Sequence, residues 1–156
     1  MKEETLRRLL AADHPTHCLG PLDRDEENYE RRFNELNTEI TTLLGVSLKS
    51  AIGFQDSSLF AALWLDEIGL RILFSNFGDL FTIEDENQIK LLTPNEFDQL
   101  VDLVEAHNFI YIDYNELGAT YSGENAQYRR EQYDRLRNGV VRKEAASWNT
   151  RFFDYM

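Results

Sequence analysis

The chain has 156 residues, 42% of them hydrophobic, and a formal net charge of −12. This length fits one domain and this apolar content excludes a disordered chain, so we expect a single compact domain over residues 1–156. The acidic excess argues against direct binding to a nucleic-acid backbone, because that binding requires Lys and Arg to replace counterions.

The cysteine content and the longest apolar run indicate the cellular compartment in which the protein is expected. Cys18 is the only cysteine, so an intrachain disulfide is impossible. The first residues lack the apolar core of a secretory signal, and the run LFAALWL at residues 59–65 is too short to cross a bilayer. These features predict a cytoplasmic protein without a membrane segment.

The charge is unevenly distributed along the chain. Residues 79–124 hold eleven Asp and Glu against one Lys, whereas residues 125–156 hold seven Lys and Arg against four acidic residues. The sequence therefore predicts an acidic middle and a mildly basic C-terminal part.

Two amphipathic helices are predicted near the N-terminus. A short helix over residues 2–12 has a leucine-rich side, and the loop that follows it contains Pro and Gly, so residues 1–24 form a helical lead-in and loop. A longer helix runs over residues 25–44, with Gly45 placed to end it. Its apolar stripe consists of Tyr29, Phe33, Leu36, Ile40, Leu43 and Leu44.

Beyond Gly45 the apolar period falls from about 3.6 residues to 2, which is typical of β-strands. The strand at residues 59–65 is apolar on both sides, which favours a central position in the sheet. Its two faces are predicted to hold Leu59, Ala61, Leu63 and Leu65 on one side, and Phe60, Ala62 and Trp64 on the other. Further strands are predicted at residues 47–54, 70–77, 80–84 and 89–92.

A capping box marks the start of another helix, because Glu96 stands three residues after Thr93 and Pro separates them. This helix is predicted to end near His107, and residues 109–114 to follow as a strand. Helices and strands occur in runs without βαβ alternation, which predicts an α+β fold. We expect an antiparallel meander of about four to six strands, with N-terminal and central amphipathic helices packed on it.

The segment WNTRFFDYM ends the sequence, and four of its nine side chains are aromatic. Exposed rings favour aggregation, and burial of each one contributes about 1.5–3 kcal/mol. We therefore predict that residues 148–156 dock on their own domain, with Arg151 stacked on a ring or paired with a carboxylate. The alternative is that these rings bind a partner.

A group of possible metal ligands occurs near the N-terminus. His14, His17 and Cys18 lie within five residues, and imidazole and thiolate are ligands that zinc and copper prefer. A structural zinc site needs further ligands, and the remaining histidine, His107, is distant in the chain. We expect a polar loop here rather than a metal site, and no cofactor.

Two groups of residues are candidates for partner binding. Asp98, Asp102 and Glu105 fall at i, i+4 and i+7 of the predicted helix, opposite its apolar stripe, where a solvated face also belongs. Tyr and Arg dominate binding hot spots, although Tyr is also a routine residue at the edge of a core, which is the reading that we favour. The residues of this second group are Tyr111, Tyr114, Tyr121 and Arg129.

The sequence contains no nucleophile elbow, no Walker glycine pattern and no dinucleotide-binding motif. We therefore expect a non-enzymatic acidic domain that binds a basic protein, as immunity-type and inhibitor proteins do. The alternative is a small-molecule-binding domain or small enzyme that uses the Tyr- and carboxylate-rich segment 111–129.

Overall fold

The structure is a computed structural model that describes residues 1–14, 25–54, 58–66, 69–85, 92–125 and 147–153. Within these residues it has five helices and one five-stranded sheet, which confirms the predicted α+β fold. The helices are α1 (Glu3–Ala12), α2 (Glu26–Leu44), α3 (Pro94–Ala106), α4 (Tyr114–Leu117) and α5 (Trp148–Phe152). The strands are β1 (Lys49–Ile52), β2 (Leu59–Leu65), β3 (Leu70–Ser75), β4 (Leu80–Asp85) and β5 (Ile110–Tyr111).

The strands lie side by side in chain order, from β1 to β5. The first four form the predicted antiparallel meander, whereas β5 pairs with β4 in parallel. A parallel pair needs a long crossover, and α3 occupies the connection between these two strands. The strand predicted at residues 109–114 is shorter than expected, because the chain enters α4 at Tyr114. Of the strand predicted at residues 89–92, only Leu92 is described.

Helices pack on both faces of the sheet. On one face it packs against α2 and α3, where the rings of Phe33 and Phe74 meet edge to face at 5.3 Å. On the other face it packs against α1, α4 and α5, which contribute Leu9, Leu117 and Phe152 to a second core. The described helices therefore form one layer on each side of the sheet.

The prediction of which side chains share a face of β2 is wrong for the first two residues of the strand. A β-bulge shifts the register between Leu59 and Ala61. Leu59 therefore joins Ala62 in the core beside α5, and Phe60 joins Ala61 in the core beside α2. A bulge inserts one extra residue on one strand only. The side chains before it, Leu59 and Phe60, therefore lie on the faces opposite to those that strict alternation predicts.

The predicted ends of the two long helices are confirmed. Asp25 caps α2 by accepting a hydrogen bond from the backbone N–H of Asn28 at 3.0 Å, and Gly45 ends it with a φ of 67°. At the start of α3, Thr93 and Glu96 exchange both hydrogen bonds of a capping box. Leu43, predicted in the buried stripe of α2, is instead 38% exposed.

Candidate functional site

Helix α5 lies in the second core. Trp148 and Phe152 are fully buried, and their rings stack with centroids 5.7 Å apart. Phe153, which follows the helix, is also buried. Residues 154–156 of the predicted docking segment lie outside the described residues.

Arg151 of α5 is held by two different contacts. Its Nε donates a hydrogen bond to Asp13 Oδ1 at 2.8 Å. Its guanidinium carbon also lies 4.0 Å from the centroid of the Phe77 ring, which is close enough for a cation–π contact. The carboxylate and the ring that the sequence offered as alternatives for Arg151 are therefore both in contact with it.

Tyr121 completes this buried polar cluster. Its hydroxyl donates to Asp13 Oδ2 at 2.5 Å and accepts from the backbone N–H of Asn125 at 3.0 Å. Burial, together with the hydrogen bond to Asp13, raises the pKa of Tyr121 to about 12. The Asn125 side chain donates to the backbone oxygen of His14 at 3.0 Å. The cluster thus joins the end of α1 to α5, and its polar atoms are directed at one another rather than at solvent.

The predicted metal ligands are only partly described. His14 is partly buried, whereas His17 and Cys18 lie outside the described residues. In the part of the chain that the structure describes, no group of three or more His, Cys, Asp or Glu is placed to hold a metal ion.

The outer surface of α2 and α3 is acidic. Helix α2 has five acidic and two basic residues and α3 has four acidic and no basic residues, so together they hold −7 of the net charge of −12. The predicted residues Asp98, Asp102 and Glu105 are all exposed on α3. Glu105 also accepts a hydrogen bond from the backbone N–H of Tyr111 at 3.3 Å, which links α3 to β5.

A shallow groove of about 610 Å³ lies between these helices, and we call it the α2–α3 groove. Leu43 and Leu103 are its apolar residues, and Glu39 and Asp102 are its acidic ones. Its other described residues are Thr38, Thr42 and Gln99. A groove that combines apolar and acidic groups is complementary to a basic amphipathic segment.

A second groove, of about 350 Å³, lies on the opposite face of the sheet beside α4 and α5. We call it the sheet groove. It is lined by four aromatic side chains from separate parts of the chain and by an ion pair on the sheet. These residues are Phe54, Trp64, Tyr114 and Phe153, with Arg71 and Glu84.

The polar residues of the sheet groove are arranged by strand register. Trp64, Arg71 and Glu84 are direct cross-strand neighbours on β2, β3 and β4, so they form one row. Arg71 Nη1 lies 3.4 Å from Glu84 Oε2, and the Tyr114 hydroxyl donates to Glu84 Oε1 at 2.6 Å. The predicted residue Tyr114 is therefore joined to residues that sequence reasoning did not select, because only the strand pairing brings them together.

Tyr111, the remaining candidate tyrosine, lies outside both the sheet groove and the Asp13 cluster. The Tyr111 ring packs against Phe81 and Phe97, with centroid distances of 5.4 and 5.9 Å. Burial, with a smaller effect of the Asp113 charge, raises the pKa of Tyr111 to about 12. Arg129 lies outside the described residues. The three described tyrosines thus occupy three separate environments and do not form one surface.

None of the described helices combines the length and apolar character that a membrane crossing requires. Comparison of the chain with protein-family models, with curated proteins and with solved structures found no match. Function is therefore inferred from the residues alone.

Proposed function

We propose that this protein binds a basic protein partner through the α2–α3 groove and the acidic side chains beside it. The supporting observation is a groove of about 610 Å³ in which Leu43 is exposed beside carboxylates and the half-buried Leu103. Helix α3, which forms one side of this groove, has no basic residue. Opposite charge accelerates encounter and fixes orientation, and apolar contact supplies affinity.

Leu43 and Leu103 provide the apolar contact. Leu43 is 38% exposed, so a partner side chain that covers it removes apolar surface from water, at about 25 cal/mol per Å². The acidic residues would then lie around this contact. An apolar centre with a polar rim is the common arrangement of protein interfaces.

Asp98 and Asp102 are the carboxylates best placed to meet Lys or Arg of the partner. Both are exposed, and neither forms an ion pair with another described residue. By contrast, Glu39 already contacts His107 Nε2 at 3.2 Å. Exposed ion pairs contribute only about 0.2–1 kcal/mol each, so these charges should act mainly on the association rate.

The double variant Asp98→Lys/Asp102→Lys tests this surface by capture of proteins from an extract of the producing cell. The matched control, Glu3→Lys/Glu124→Lys, makes the same charge change at exposed positions outside the groove. We expect a basic protein that binds the unmodified chain and the control, is lost from the Asp98/Asp102 variant, and is released at about 0.5 M salt because screening weakens exposed charges.

A photo-crosslinking residue at Gln99 identifies which captured protein touches the groove, since Gln99 lines it. The crosslink should weaken in a Leu43→Ser variant, which removes an apolar contact without changing charge. Equal capture by both double variants would show that this surface is not the binding site. Capture of no basic protein at low salt would show that the proposed function is wrong.

A further inference from the structure

We propose that the outer edge of β1 pairs with the same edge of a second copy of this chain, so that the two sheets join into one continuous sheet. This interface goes beyond the proposed function. It lies outside the α2–α3 groove, whose described residues come from α2 and α3 alone.

The opposite edge of the sheet, at β5, is closed by side chains. Ile110 and Ile112 direct their backbone N–H groups to the side of β4, so the backbone groups of Tyr111 between them point outward. The Tyr111 N–H donates to Glu105 Oε1 at 3.3 Å, and the Tyr111 oxygen accepts from Arg8 Nη1 at 3.3 Å. An edge whose outward groups are occupied in this way is blocked to another strand.

The edge at β1 is open. The backbone N–H of Gly53 donates to the Phe60 oxygen at 2.9 Å. Because hydrogen-bonded pairs alternate along an antiparallel ladder, Ala51 also bonds to β2, whereas Ser50 and Ile52 direct their N–H and C=O groups outward. Both residues are exposed, and at this edge neither has a hydrogen bond with any described residue.

The charge around β1 favours a second copy as the occupant of this edge. Residues 40–55, which include β1, are the longest run of the chain without Asp or Glu. Two chains of net charge −12 repel one another, so they approach most easily where the pairing segment adds no carboxylate. The same run holds Val46 and Ile52, which are 37% and 38% exposed. Pairing that covers apolar surface here is favourable.

A two-fold axis fixes the register of the pair. All outward groups of Ser50 and Ile52 form hydrogen bonds if Ser50 of each copy lies opposite Ile52 of the other. Ala51 then lies opposite Ala51 of the second copy, in a non-hydrogen-bonded pair with Cα atoms about 4.5 Å apart. Ile52 faces the core beside α2, because its partner Ala61 belongs to that core. The two Ile52 side chains are therefore diagonal neighbours on one face.

Analytical ultracentrifugation of the unmodified chain measures the association. The paired segment is short, so we expect a weak dimer with a dissociation constant of about 0.1 mM in about 0.5 M salt. In about 0.05 M salt the dimer should be at least about threefold weaker, because less screening leaves more repulsion between the acidic chains. Salt acts in the opposite direction on the basic partner of the α2–α3 groove, so the two proposals fail separately.

Ser50→Pro tests the backbone pairing, because it removes an outward N–H and no hydrogen bond to β2. It should weaken the dimer by about tenfold or more, since the two-fold axis makes each substitution remove two hydrogen bonds. Ser50→Ala keeps the N–H and is the matched control. It should leave the dissociation constant unchanged.

Cysteine crosslinking tests the register, in a Cys18→Ser background that removes the only native cysteine. On oxidation with diamide, Ala51→Cys should give a disulfide-linked dimer, because a Cα separation of about 4.5 Å lies within the range for disulfides. Ser50→Cys is the control. It should link about tenfold more slowly, since in this register its two copies are farther apart than the limit of about 7 Å.

Several results would overturn this proposal. They are a monomer at about 1 mM protein in about 0.5 M salt, a folded Ser50→Pro variant that dimerises as tightly as Ser50→Ala, and equal crosslinking of Ala51→Cys and Ser50→Cys. A monomeric chain whose β1 amides are protected by an extended peptide of another protein would also overturn it. If Ser50→Pro lacks a folded amide spectrum, the ratio of the two crosslinking rates decides the question.

Discussion

Asp13 and Arg151 are 138 positions apart in the chain, yet Asp13 Oδ1 and Arg151 Nε lie 2.8 Å apart in a buried ion pair. The two side chains are 5% and 0% exposed. Asp13 is the C-cap residue of α1 and Arg151 belongs to α5, so this pair joins the first and last described helices.

Arg151→Met should lower the free energy of unfolding by about 3–5 kcal/mol, because it leaves the buried Asp13 carboxylate without its cation. Adding Asp13→Asn should restore part of the loss, since Asn is uncharged and can still accept from Tyr121. Urea unfolding of the single and double variants measures this coupling. A double variant no more stable than Arg151→Met would show that the unpaired charge is not the cause.

Gly123 packs against the same ion pair. A Cβ there would overlap the Asp13 carboxylate and the Tyr121 hydroxyl, whereas a Cβ at Gly118 meets no atom within 4 Å. Gly123→Ala should therefore destabilise the protein by about 1–3 kcal/mol. Gly118→Ala is the matched control and should be neutral or stabilising by up to about 1 kcal/mol, because its backbone is already helical. Equal Tm values for the two variants would contradict this packing.

Ending the chain after Ser147 should cost several kcal/mol of stability and cause binding of a hydrophobic dye. The change removes the buried rings of Trp148, Phe152 and Phe153, each worth about 1.5–3 kcal/mol. Phe152→Ala alone should cost about 3–5 kcal/mol, as expected when a large side chain leaves a cavity. If the shortened chain keeps full stability, the rings serve a partner rather than the domain.

Thr93→Ala should destabilise the protein by about 1 kcal/mol, because it removes the acceptor for the backbone N–H of Glu96. The midpoint of urea unfolding measures the loss. Asn95→Ala is the control, because Asn95 is also exposed in the first turn of α3. It should have a much smaller effect on stability. We expect partner binding to be unchanged, since the cap acts on the stability of α3 alone.

Alkaline pH should destabilise the protein through two tyrosines. The pKa values of Tyr111 and Tyr121 are raised from 10.0 to about 12 in the folded state, mainly by burial. A raised pKa means that the folded state holds the proton more tightly, so stability is unchanged below about pH 10 and falls between about pH 10 and 12. Tyr121→Phe should reduce this fall in urea unfolding measured across that range. An unchanged pH dependence would rule out a contribution from Tyr121.

Local structure could be predicted from the sequence because it depends on neighbouring residues. Asp25 and Thr93 cap their helices through backbone groups three residues away, and the αL conformation of Gly45 ends α2. The exposed positions of Asp98 and Asp102 follow from the helical period in the same way. Each of these features involves groups within one turn of the helix.

The pairing of strands could be predicted only in outline. Turn residues and a period of 2 indicated the meander, but the bulge between Leu59 and Ala61 and the parallel pairing of β5 depend on partner strands. The bulge decided which core receives Leu59 and which receives Phe60. No residue type at these positions signals an extra residue in one strand.

The sequence by itself determined the α+β class, the main helix ends and the acidic face of α3. Only the tertiary structure decided that Asp13 meets Arg151 and that Trp64, Glu84 and Asn149 line one groove. Tyr111 and Tyr121 are close in the chain, yet they lie in cores on opposite faces of the sheet. The physical reason is that side-chain direction follows the element to which a residue belongs, whereas the neighbours it meets are set by how distant elements pack.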